Sequence, residues 1–140
     1  MITLDQIPML AVPSMNDRHL EESLIINRLE VAVANNDIDE VYLILRELLE
    51  HTGLHYFDEE ALMEETLFPT FKTHKKEHDR HLGELRSVIE YFDKHKDPRA
   101  VSAYIEGSLS AWTLHHADTM DRMLALFLEE RATNASAAAK

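Results

Sequence analysis

IDEVYLILRELLEHTGLHYFDEEALMEET, residues 38–66, decides the architecture. Apolar residues recur along it every three or four positions, the period of an α-helix buried on one side. At ~100° per residue, with His55 as origin, Val41, Ile44, Leu48, Leu62 and Thr66 fall within about 40°. His55 therefore sits on the apolar stripe. Glu59, one turn on, shares that face, and Glu60 turns toward the polar side. An imidazole and a carboxylate in a core stripe cost free energy unless something pairs with them.

Working outward, Asn35, Asn36 and Asp37 form a polar break before this helix. A first helix is predicted over about 16–34, with Ser14, Asn16 or Asp17 as its cap. Residues 1–15 carry Pro8 and Pro13 without a clean period and read as an extended N-terminal arm. On the other side Pro69 interrupts the pattern and can start a third helix that runs to about 95. Asp97 followed by Pro98 caps a fourth, over about 98–131. Residues 132–140 are small and low in complexity and read as a flexible tail. Long helices with short connections predict an all-α fold over 16–131, an antiparallel up-down-up-down four-helix bundle.

Composition narrows the function. The 140 residues include no Cys, which excludes a disulfide scaffold, a thiolate metal site and a Cys nucleophile. Fourteen basic against 26 acidic residues give a net charge of −12, which argues against nucleic acid or an anionic membrane as partner. No apolar run reaches the ~18 residues of a spanning helix, and no secretory signal opens the chain. A cytoplasmic protein with a small-molecule partner is the expectation.

Nine His is a high count for so acidic a chain. On the third helix His74 and His78 are one turn apart, in register with Leu67, Leu85, Val88 and Phe92. On the fourth, Ile105, Leu109, Trp112, Met120, Met123 and Phe127 lie within about 40° of His116. Asp121 sits about 140° away from it in a regular helix; a π-bulge or a helix approaching from that flank would bring the two together. His19 opens the first helix with Ile26 and Val33 on its face. Antiparallel packing about the 65–69 turn brings Glu59 level with His74, and His55 level with His78. Five imidazoles and two carboxylates in one layer suit two cations. Imidazole with bridging carboxylate favours iron or a similar first-row metal over calcium or magnesium.

These residues resemble the hemerythrins and their bacterial relatives. The family pattern is matched by His19, by His55 with Glu59, by His74 with His78, and by His116 with Asp121. Asn27, the string HYFDEEALM at 55–63 and Trp112 agree as well, so the resemblance spans roughly 16–128. It implies a non-haem di-iron site, oxo- or hydroxo-bridged, that binds O2 reversibly. One iron would take His74, His78 and His116. The other would take His19 and His55 and keep an open position, with Glu59 and Asp121 bridging. The O2 pocket would be ringed by Met63, Trp112, Thr113 and Ala117.

The chain departs from the family around those ligands. Asn16 stands where Asp is common, and His51 where Tyr is. Thr113 and Ala117 replace bulky apolar residues, His81 adds an imidazole to the core face, and the arm lacks an aromatic. His51 and His81 are candidates for a second layer that orients the ligands. An oxygen carrier, store or delivery protein is the leading reading. The alternatives are a sensor, or a peroxidase or NO- or peroxide-scavenging enzyme on the same site. A ferritin-like oxidase needs Glu-x-x-His pairs, and no His here has Glu three residues before it.

Overall fold

The computed structural model describes residues 1–138. Four long helices account for most of them, and no strand occurs among the described residues. They are α1 (Pro13–Ala34), α2 (Ile38–Glu65), α3 (Phe71–His95) and α4 (98–138). The short connections force each helix to run back along the one before it, which gives the antiparallel bundle. No helix among the described residues is long and apolar enough to cross a membrane.

The ends of the helices follow local chemistry. Asp37 caps α2 by accepting from the Glu40 N–H at 3.2 Å, and Asp97 caps α4 by accepting from the Arg99 N–H at 3.0 Å. Lys96 closes α3 in the left-handed conformation, φ 53°. Three expectations shift. Helix α1 starts at Pro13, whose missing N–H costs nothing at a first helical position, so Ser14, Asn16 and Asp17 lie inside it and cap nothing. Helix α3 begins two residues past Pro69. At the other end α4 continues through residue 138 rather than stopping near 131, because its Ala-rich end contains neither Gly nor Pro to stop it. Residues 139–140 of the predicted tail lie outside the described residues.

Two asparagines tie the arm down. Asn27 of α1 accepts from the Ile2 N–H (2.9 Å) and donates to its carbonyl (2.8 Å). Asn16 does the same to Leu10 (2.8 and 3.0 Å). Each amide replaces the backbone partners an extended segment lacks, so Ile2 and Leu10 can be buried.

The interior has three levels. An apolar cluster that includes Ile26, Leu29, Leu45, Leu48, Leu85, Phe92 and Leu109 fills one half of the bundle. A smaller one of Leu10, Met15, Met63, Phe68, Leu124 and Ala125 closes the end near the α2–α3 turn. Between them lies a polar layer.

Helix α4 is interrupted by π turns at Ile105–Leu109 and Ala117–Asp121. Each π turn accommodates one extra residue and so rotates the next stretch of helix. That rotation explains why Met123, expected on the inward stripe, is 58% exposed, while Leu124 and Ala125 are fully buried in its stead.

Candidate metal centre

All four helices contribute to the polar layer: His19 from α1, His55 and Glu59 from α2, His74 and His78 from α3, His116 and Asp121 from α4. Every one is buried. The π turn at Ala117–Asp121 is what makes the last pair possible. It closes the gap that a regular helix leaves, and Asp121 Oδ1 comes to 3.1 Å from His116 Nε2.

The two carboxylates sort the imidazoles. Asp121 Oδ1 also lies 3.1 Å from His74 Nε2, and Glu59 Oε1 lies 2.8 Å from His74 Nε2 and 3.2 Å from His78 Nε2. The other oxygen of each faces elsewhere: Asp121 Oδ2 is 2.8 Å from His19 Nε2, and Glu59 Oε2 is 3.0 Å from His55 Nε2. One oxygen of each carboxylate thus serves His74, His78 and His116, and the other serves His19 and His55.

Hydrogen bonding does not exhaust this crowd. Glu59 Oε1, His78 Nε2 and His116 Nε2 are buried without a hydrogen-bond partner, although charged neighbours are close. Atoms of that kind are costly in a core. Donor atoms from Glu59, His74, His78, His116 and Asp121 lie within 4.8 Å of one another, as do those from His19, His55 and Asp121. Nitrogen and carboxylate oxygen donors at that spacing fit first-row cations.

Charge is held tightly within the layer. Burial and the neighbouring Asp121 push Glu59 up, but the imidazoles of His55, His74 and His78 against its two oxygens outweigh them and hold it down at about 2. Burial opposes ionisation of Asp121 too, yet His116, His19 and His74 keep it well below the usual carboxylate range. Burial alone would lower His55 and His74. Glu22 and Glu59 raise His55 to about 10, and Asp121 with Glu59 raises His74 to about 9.

Around the layer, two carboxylates fix ring orientation. His55 Nδ1 stands 3.2 Å from Glu22 Oε2, and His78 Nδ1 stands 2.9 Å from Glu60 Oε2. Glu60 was expected on the polar side. It does leave α2 there, but α3 packs against that flank and its carboxylate reaches across. Glu22 escaped the sequence reading, although it follows His19 by three residues and so shares its face.

His51 and His81, expected as a second layer that orients the ligands, lie beside this layer. His51 turns to Glu21 (3.0 Å) and Glu22 (3.9 Å) near the surface. His81 is buried flat against Trp112, ring centroids 3.9 Å apart, with Nε2 unpartnered and its pKa pushed down by burial to about 4. Trp112 stacks its other neighbour, His116, at 4.5 Å, and Tyr56 stacks on His78 at 3.8 Å. Of the residues expected around O2, Thr113 and Ala117 are buried beside His116, with the Thr113 hydroxyl unpartnered. Met63 packs into the smaller apolar cluster.

Residues 11–128 match the model of the hemerythrin HHE cation-binding domain, nearly the whole folded chain. The chain belongs to the hemerythrin family. Among curated relatives, the bacteriohemerythrin of Aquifex aeolicus (strain VF5) is 28% identical over 107 residues, 76% of this chain and 82% of that protein. The bacteriohemerythrin of Ralstonia nicotianae is 31% identical over 104 residues, 74% of each. A crystal structure of a hemerythrin with a leucine-to-tyrosine substitution superposes with a TM-score of 0.76 at 20% identity, covering 89% of this chain and 93% of that one. That likeness supports the four-helix fold, and the hemerythrin cation-binding domain coincides with the buried His, Glu and Asp layer.

Proposed function

We propose that this hemerythrin holds two irons and binds O2 reversibly, as a carrier, store or delivery protein. The observation that carries the reading is the division of labour within Glu59 and Asp121. Each carboxylate offers one oxygen to a set of three imidazoles and the other to a set of two. Carboxylates used in that way would hold two cations side by side. His74, His78 and His116 would hold one iron, and His19 and His55 the other.

A pair of irons supplies two electrons to O2 and takes them back on release. The chain supplies the rest. Glu22 and Glu60 orient His55 and His78. Apolar clusters on both sides exclude water. Trp112 and Tyr56 lie flat on His116 and His78 and stop those rings from turning.

Iron counted per chain in aerobically purified protein, together with its absorption spectrum, tests this. Two irons and bands of a bridged di-ferric centre are expected, with spectral changes that reverse on cycling between argon and air. One iron or none would overturn the two-cation reading. The buried, unpartnered Thr113 hydroxyl beside the small Ala117 favours a second reading, an NO or peroxide scavenger. A proton donor there would speed loss of bound O2 as peroxide. Fast, irreversible oxidation in air would select it.

A further inference from the structure

A cleft of about 210 Å³ opens between the start of α1 and the second half of α2. Ser14, Arg18 and Asp58 form its rim, Met15 and Leu62 line it, and the buried His55 and Glu59 lie at its inner end. Arg18 donates to Asp58 Oδ2 at 2.8 Å across the mouth, tying the two helices together. Both side chains stand well out in solvent, and an exposed pair of that kind is held weakly enough to open and reclose freely.

The place where the cleft ends is informative. His55 belongs to the smaller set of donors, two imidazoles and two carboxylate oxygens, against three imidazoles and two oxygens in the other. A cation held there would have fewer protein donors and so room for an outside ligand, and it is this set of donors that the cleft approaches. Arg18 matters for charge as well. A chain of net charge −12 repels small anions over most of its surface, and Arg18 sets a guanidinium at this mouth.

We propose that the α1–α2 cleft is the entry route by which O2 and small anions reach the metal centre, with the Arg18–Asp58 pair as its movable rim. The destination rests on the di-iron reading above; the passage itself does not. Dissolved O2 is paramagnetic and broadens the methyl resonances it visits, so the full chain loaded with diamagnetic zinc reports the passage directly. Met15 is 6% exposed, yet its methyl should broaden several-fold more than those of Leu45 and Leu48 in the sealed apolar half. Leu62→Trp should remove the excess, and Ser14→Trp, at an exposed position, blocks the same mouth if Leu62→Trp folds poorly. In iron-loaded protein, stopped-flow mixing with azide should show either plug slowing entry and escape together by ~10-fold at unchanged Kd, the signature of a passage rather than a binding contact. Arg18→Glu should slow azide entry, and the deficit should shrink as salt is raised. Met15 broadening no greater than that of Leu45, azide rates indifferent to both plugs, or a changed Kd with an unchanged entry rate would each overturn the route. Failure of the chain to bind iron would overturn the di-iron reading alone, and the methyl measurement would still decide the passage.

Discussion

Leu48 and His55 stand two turns apart on the same face of α2, and the interior changes kind between them. Leu48 looks into Ile26, Leu29, Leu85 and Phe92, side chains that need only one another. His55 looks into Glu22 and Glu59, with four further imidazoles and Asp121 packed against them. The same helical period produces both. The apolar half is complete once it excludes water. The polar layer keeps orphaned donors and acceptors, so its stability depends on what binds there.

Metal removal tests that difference most severely. Chelation should lower the melting temperature by more than about 10 °C, because binding energy that exists only in the folded state is folding energy. A metal-free protein as stable as the loaded one would mean that the apolar half carries the fold alone. Substitutions then separate the two regions. Leu45→Ala should cost about 2–5 kcal/mol in denaturant titrations and leave the iron count intact. Glu59→Ala should empty the site, and its loss of stability should match that of chelation. Glu60→Ala and Glu22→Ala remove only an orienting acceptor, so metal affinity should fall by about 10–100-fold without complete loss.

Acidity offers a gentler probe. With His55 at about 10 and His74 at about 9, both carry protons at neutral pH in the metal-free layer. Loading must displace those protons, so apparent affinity should rise with pH, and calorimetry in two buffers should register proton release. Stability of the metal-free fold runs differently. What the His55 and His74 pairs contribute is complete below their ordinary value of 6.5 and fades as the pH climbs through 9 to 10. The Glu59 contribution is complete above 4.5 and fades as the pH falls toward 2. The metal-free chain should therefore be most stable between those limits. The smallest effect is expected from Ala117→Ile together with Thr113→Leu. That pair should lengthen the lifetime of the oxygenated protein with little change in melting temperature, as the decay of its spectrum would show. Unchanged or faster decay would mean that the space beside His116 does not govern release.

Periodicity within one chain segment sufficed for a good deal. The stripe around His55, the turn-spaced His74 and His78, and the Asp97–Pro98 cap are local patterns, and the four helices with their inward imidazoles derive from them. The spacing of His116 and Asp121 allowed either a π-bulge or a helix approaching from that flank, and the π turn at Ala117–Asp121 is the one present. What lay beyond reach involved rotation or reach between helices. A regular helical period carries the inward stripe on to Met123; the exposure of Met123 and burial of Ala125 come from the rotation that the π turn at Ala117–Asp121 imposes on the residues after it. Glu60 orients His78 only because α3 passes within a side chain's length, and His81 meets Trp112 because α3 and α4 lie side by side. A helical period fixes the direction in which a side chain leaves its own helix. What it meets, and which oxygen of Glu59 faces which imidazole, depends on the distance and rotation of the neighbouring helices, and those are set only when the whole bundle packs.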